Sequence, residues 1–423
     1  MVAVDPSRCT CERRHVWKGL HRVGRREGDR CAAGPRAHQK GARIHHRDHP
    51  FPEEAMRTLF WALLTILLSP VLWIISLIRH PVAPKRVLII QLGKLGDVLC
   101  TTGMFRAVKA ADPSIELHVL CWGRFREVLS GNPSVDHVHA YDGSRTALFW
   151  TLFHLRFSAV INCLPGALPS AVGLWSAAPV RVSTSSSGHG ILVSLFRIFN
   201  NVNVPFITGT STHAHYMKLL APLGIPAILR KLEYFPSVND QDAAMSWLKD
   251  HALSSKSFVC FNISAGNTVK EWPAASFAAL ADQVIEKHQL SVVLSTLDHQ
   301  KVKAVMELSH HAEKMMDASS LTLGQCAAMM KNAAAFVAVD TGPLFLADAM
   351  GTPIAVIVGG SHPNEQIPPV SDRVRHVLPP AGSQPWMFVS KSPRVATAEQ
   401  LKSITGTSVE AVERALGDML IKN

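Results

Sequence analysis

The chain has 423 residues, too many for one ordinary domain and enough for two that each bury a core. Its formal net charge is +11, but the first 55 residues hold 12 Lys/Arg against 7 Asp/Glu, so the rest is only mildly basic. That thin excess excludes the dense basic stripe of a nucleic-acid binder and suits an enzyme handling anionic substrates near a membrane.

Residues 1–55 show no hydrophobic periodicity and read as a basic, disordered tail. Cys9, Cys11 and Cys31 lie there among six histidines from His15 to His49, in a spacing that matches no closed tetrahedral zinc pattern, so no metal is expected. Met56 opens MRTLFWALL, which reads like a natural N-terminus, so translation begins at either Met1 or Met56. From Thr58 to Ile78 run 21 residues without a charge, bracketed by Arg57 and Arg79 and long enough to cross a bilayer. Residues 57–79 are therefore expected to associate with a membrane; the competing reading is a buried helix of a soluble core. Pro70 predicts a kink in this helix, and Trp61 and Trp73 suit a membrane interface.

Arg86–Leu92 (RVLIIQL) has the β-branched, apolar character of a strand buried on both faces of a parallel sheet. Gly93 and Gly96 permit a tight turn, and a helical pattern with Val98, Leu99, Phe105, Ala107 and Val108 facing inward runs until Asp112-Pro113. IELHVLC at 115–121 is the next strand, which completes a βαβ unit; FSAVINCL at 157–164 is another, and ILVSLFRIF at 191–199 a helix. Ligands of such sheets bind at the carboxyl ends of the strands, so the Gly93–Asp97 turn points into a cleft. Its G-x-x-G-D sequence is not the dinucleotide fingerprint, since a carboxylate at the helix start would repel a pyrophosphate. Asp97 either caps its helix or stands there as a base for an acceptor hydroxyl.

A second βαβ series starts with FVCFNIS at 258–264, followed by the loop Ala265–Pro273 and the helix AASFAALADQVIEKH. LSVVLST at 290–296 is a strand and LTLGQCAAMMKNA at 321–333 a helix of core-forming apolar spacing. Phe336–Asp340 is a strand, Thr341-Gly342-Pro343 a turn, and the helix beyond ends at Gly351. Free amides at that helix start, with the Thr341 hydroxyl and the Lys270 ammonium from the neighbouring loop, make a phosphate site; the alternative is a plain Asp-Thr-Gly turn. Cys100, Cys121, Cys163, Cys260 and Cys326 lie mostly in apolar runs without CxxC pairing and read as reduced core residues of a cytosolic protein. The division expected from these patterns is 1–55 tail, 57–79 apolar segment, 85–235 first domain and 236–423 second domain.

Over residues 85–380 the chain resembles the ADP-heptose:lipopolysaccharide heptosyltransferases of glycosyltransferase family nine. The resemblance is carried by VLIIQLGKLGDVLCTTGMFRAVKAADP, GNPSVDHV (131–138), SAGNTVKEWP (264–273) and VDTGPLFLADAMGTPIAVIVGG (339–360), in that order. It implies an α/β fold of GT-B type, two Rossmann-like domains facing across a cleft, preceded here by the N-terminal apolar helix. The acceptor would sit on the first domain, against Gly93 and Gly96, and the nucleotide-sugar donor on the second. By the same resemblance Asp97 is the general base of an inverting displacement. Lys270, Asp340, Thr341, Gly342, Ser264 and Gly266 would bind the donor, with no metal and no cofactor.

The family pattern usually has His two residues after the proline of its D-T-G-P turn, and this chain has Phe345. A non-catalytic member that binds nucleotide sugar or glycolipid is therefore the second reading. A sugar-nucleotide epimerase of the same shape would need acid/base residues that the sequence does not place. The implied partners are a nucleotide sugar, a lipid-linked saccharide acceptor and the cytoplasmic face of the inner membrane, reached through residues 58–78. If a long basic tail stayed in the cytoplasm, a spanning segment would send the rest of the chain away from cytosolic nucleotide sugars. A Met56 start, or a segment lying in one leaflet, keeps it there.

Overall fold

The structure is a computed structural model and describes residues 52–79, 85–186 and 190–421. The tail's cysteines and histidines lie outside the described residues. Of the described residues, those from Ala62 onward form one compact unit, distinct from those up to Trp61.

Helix α1 spans Pro52–Ile78 with Pro70 inside it. The first sheet then comprises β1 (Arg86–Gln91), β2 (Glu116–Trp122), β3 (His137–Tyr141), β4 (Ala159–Asn162), β5 (Val180–Ser185) and β6 (Val202–Pro205). Its connections carry α2 (Leu95–Ala111), α3 (Arg126–Ser130), α4 (Arg145–His154), α5 (Ala167–Trp175) and α6 (Ile191–Phe196). Helices α7 (Thr212–Lys218) and α8 (Val238–Asp250) lead onward. The second sheet comprises β7 (Phe258–Asn262), β8 (Ser291–Leu294), β9 (Met315–Asp317), β10 (Ala335–Val339), β11 (Ile354–Ile357) and β12 (Val374–Val377). Around it lie α9 (Ala274–His288), α10 (His299–Leu308), α11 (Leu323–Asn332), α12 (Gly342–Met350), α13 (Ala398–Thr405) and α14 (Val409–Leu420).

Both sheets are parallel, with orders β3-β2-β1-β4-β5-β6 and β12-β11-β10-β7-β8-β9. Renumbered within its own half, the second order is the first read backwards, so each half is the doubly wound six-stranded arrangement of Rossmann folds. The strand order reverses between β1 and β4 in one sheet and between β7 and β10 in the other. Crevices therefore open just beyond Gln91 and Val339, where the sequence had put its two polar turns. The strands lack polar alternation because helices cover both faces: β1 is buried from Val87 to Gln91 and β10 throughout.

One apolar cluster runs from the first half into the second, joining Val98, Met104 and Phe105 of α2 to Leu344, Phe345 and Leu346 of α12. A second fills the far side of the second sheet, where Phe277 of α9 and Leu416 of α14 pack over Val292 and Val337. Trp272 belongs to it at 2% exposure and donates its indole N–H to the Thr407 carbonyl at 3.0 Å. Leu72 of α1 packs with Leu174, Phe196 and Phe199, and the Trp175 indole donates to the Thr65 hydroxyl at 3.0 Å. The rest of α1 that faces outward, including Leu63, Leu67, Val71 and Trp73, is exposed. The buried soluble helix that the sequence also allowed is thus not what forms.

Candidate active site

The polar turn after β1 is held from two directions. Gln91, fully buried at the strand's end, accepts from the Gly93 amide at 3.0 Å and donates to the Asp97 carbonyl at 3.2 Å. The Asp97 carboxylate accepts from the Lys94 amide at 2.9 Å through Oδ2 and from the Tyr216 hydroxyl of α7 at 3.4 Å through Oδ1. The cap therefore occupies only Oδ2, while Oδ1 accepts the longer bond from Tyr216 and the residue as a whole lines the cavity. Burial raises the Asp97 pKa above the ordinary carboxylate value, against the lowering effect of the Lys94 amide bond and charge and the Tyr216 hydroxyl. Tyr216 is itself pushed well up by burial and by the Asp97 charge, so it stays a donor.

On the other side, the K-E-W-P segment divides its work residue by residue. Trp272 anchors in the core, and Glu271 accepts from the Ala265 amide at 3.0 Å and from Lys301 at 2.6 Å. Lys270 is thereby aimed at the end of β10, where its Nζ lies 2.5 Å from Asp340 Oδ2. The Ser361 hydroxyl donates to the same oxygen at 2.6 Å. Both partners of the ion pair are nearly buried, so the Lys270 cation is held in place by the Asp340 carboxylate.

These elements meet over a cavity of about 510 Å³ whose wall includes Asp97, Gly96, Gly266, Lys270, Asp340 and the Thr341-Gly342 turn. Two candidates stand outside that wall. Ser264 is turned to Thr296, with 2.5 Å between their hydroxyl oxygens, because the loop leaves β7 beside the end of β8. Gly93 is set back under the Gln91 carboxamide, where a Cβ would lie 2.6 Å from the Asp97 side chain. Gly96 and Gly342 permit the close approach of the starts of α2 and α12: a Cβ on Gly342 would lie 3.4 Å from the Gly96 nitrogen. Phe345 fills the position beside them, 3.0 Å from where a Gly96 Cβ would stand, and lines the cavity.

Sequence reasoning missed Gln91, Tyr216 and Glu365. Glu365 is 2% exposed in the segment SHPNEQ. Its carboxylate accepts from the Gly209 amide at 2.9 Å and the Val389 amide at 2.8 Å, and its carbonyl accepts from the Thr212 amide at 2.9 Å. One buried carboxylate thus ties the first half to the loops that floor the cavity. A lone Glu in a loop gives no periodic signal, and a Gln ending an apolar strand was the only hint for Gln91. Cys100, Cys121, Cys163, Cys260 and Cys326 are free, and the first four are buried.

The model of "Glycosyltransferase family 9 (heptosyltransferase)" matches residues 145–391, more than half the chain. That stretch contains Lys270 and Asp340 and begins beyond Asp97. Lipopolysaccharide heptosyltransferase 3 of Escherichia coli is 23% identical over 287 residues, 63% of this chain and 81% of that protein. A family 9 glycosyltransferase structure from Veillonella parvula superposes with a TM-score of 0.66 at 21% identity, covering 82% of this chain and 100% of the other. The E. coli ADP-heptose lipopolysaccharide heptosyltransferase II superposes with a TM-score of 0.64 at 19% identity, covering 80% and 99%. The fold is that of these two-domain GT-B enzymes, and by the match over most of its two sheets the chain belongs to glycosyltransferase family 9, the heptosyltransferase family.

Proposed function

We propose that the protein transfers heptose or a related sugar from a nucleotide donor, ADP-linked as in the name of the E. coli relative, to a lipopolysaccharide-type saccharide, with inversion at the anomeric carbon. The observation that carries this is the convergence on one cavity of the Asp97 carboxylate and the Lys270, Asp340, Thr341-Gly342 group. The diphosphate would lie at the start of α12, where the Gly342 amide and the helix dipole stabilise negative charge and Lys270 adds a cation. Asp97 would take the proton of the acceptor hydroxyl as its oxygen attacks the anomeric carbon and the nucleoside diphosphate departs. A single displacement from the face opposite the leaving group inverts that carbon. Burial favours this role: a carboxylate with a raised pKa is a stronger base than an exposed one and remains useful near neutral pH.

Membrane association through α1 belongs to the same proposal, supported by the exposed apolar face of Leu63, Leu67, Val71, Trp73 and Leu77. The working location would be the cytoplasmic face of the inner membrane, where donor and lipid-linked acceptor meet. Deletion of the gene is expected to remove one sugar from the lipid-linked saccharide by mass spectrometry, and an unchanged glycan would refute the reading. Phe345 in the cavity wall favours the second reading, a binding protein without transfer. That reading is distinguished by donor binding with no product formed and by full complementation with Asp97→Ala.

A further inference from the structure

We infer that Glu116, His118 and His137 form a zinc-type metal site on the first sheet, at the end opposite the cavity. Glu116 and His118 are two residues apart at the start of β2, so their side chains project from one face of the sheet. His137 begins β3 and is paired in register with His118. This is the amino end of the strands, whereas the Asp97 turn leaves the carboxyl end of β1, so the two sites are separate.

The donor atoms converge. Glu116 Oε1 lies 3.1 Å from His118 Nε2 and 2.9 Å from His137 Nε2, and all three ligand atoms fall within 4.8 Å of one another. Zinc bonds of about 2.0–2.2 Å in a tetrahedron separate ligand atoms by roughly 3.4 Å; both carboxylate–imidazole separations fall a few tenths of an ångström short of that, and the half-exposed His137 ring, stacked on His118 with centroids 4.5 Å apart, would turn to bring its nitrogen to the ion. Supporting contacts hold the ligands from behind. Arg86 Nε donates to the other carboxylate oxygen at 2.8 Å, and His118 Nδ1 lies 2.9 Å from His139 Nε2. The His118 ring is also fixed edge-on against Phe157, with centroids 5.0 Å apart. Hydrogen-bonded partners behind ligating imidazoles and carboxylates are what orient a metal's ligands.

The hydrogen bonding is satisfied in both states. Without metal, His118 Nε2–H donates to Glu116 and Nδ1 accepts from His139. With metal on Nε2, the ring proton sits on Nδ1 and is donated to His139 Nε2. His137 is 53% exposed, so the fourth position faces water. Two imidazole nitrogens and one carboxylate oxygen, with Arg86 cancelling most of the negative charge, select zinc over calcium or magnesium. Bound there, the ion would clip the edge strand β3 to β2.

The test uses the full chain, whose first 55 residues hold further cysteines and histidines, and compares it with His137→Ala at an exposed position outside the cavity. Titration with zinc is expected to give one equivalent fewer in His137→Ala, with transfer activity equal to the parent. Crystals soaked in zinc are expected to show anomalous density among Glu116, His118 and His137 that is absent from the variant. Equal stoichiometry in the two proteins, or no density there once other zinc positions are filled, would overturn the inference.

Discussion

Replacing Lys270 with Met separates its bond to Asp340 from the phosphate contact proposed for it. The ammonium lies 2.5 Å from Asp340, in a pair whose side chains are 11% and 7% exposed, so Lys270→Met strands a carboxylate that keeps only the Ser361 hydroxyl. Breaking a buried pair on one side costs about 3–5 kcal/mol, and the remaining hydroxyl argues for the low end, about 3 kcal/mol. A donor phosphate would lose a charge-assisted contact of about 1.5–3 kcal/mol, which is a rise of roughly 10- to 150-fold in donor KM or Kd. Lys270→Met combined with Asp340→Asn distinguishes the two losses. An asparagine needs no cation, so the double variant should regain most of the thermal stability while donor affinity stays low. Denaturant unfolding gives the first quantity and calorimetric titration of the nucleotide the second. A double variant that binds donor as well as the parent would refute the phosphate role and leave Lys270 a structural partner of Asp340.

Five further outcomes follow from the geometry. Asp97→Asn keeps an oxygen for the Lys94 amide and removes a buried charge, so kcat should fall at least about 100-fold while the thermal midpoint holds or rises. Because the folded-state pKa of Asp97 is raised, kcat/KM should fall as pH drops through a value above that of an ordinary aspartate. Tyr216→Phe removes a donor that stabilises the Asp97 anion and should move this acid limb to still higher pH; an unmoved profile would detach Tyr216 from the base. Gly96→Ala places a methyl 3.0 Å from the Phe345 ring and should cost about 1–3 kcal/mol by denaturant unfolding, recovered in part by Phe345→Leu. Changing Leu67 and Leu77 of α1 to serine should weaken sedimentation with anionic vesicles while soluble-acceptor turnover persists; undiminished sedimentation would remove α1 from the membrane contact.

The architecture was largely legible because its signals are local. Short β-branched runs alternating with amphipathic segments gave β1, α2, β2, β7, β10 and α12 within a few residues of their observed bounds. The Asp97 turn and the K-E-W-P segment were legible as motifs, and their meeting follows from the switch points of two sheets with matching strand order. Distances between partners remote in sequence were not legible. Nothing in the local pattern says that Lys270 spends its charge on Asp340, that Ser264 turns away to Thr296, or that Tyr216 reaches Asp97 across 119 positions. Those choices are made by packing, as with Trp272, whose indole finds a carbonyl near the C-terminal helices and so fixes where its neighbour Lys270 points.

Where α2 and α12 meet, two residues without side chains face each other, and Phe345 supplies the bulk beside them. Leu95 of α2 closes over Gly342, its Cβ 3.3 Å from where a Gly342 Cβ would stand, and the apolar cluster of the two helices continues behind it. The residue that departs from the family pattern thus has a packing consequence besides a chemical one: its ring fills the space that the two glycines leave at the edge of the cavity.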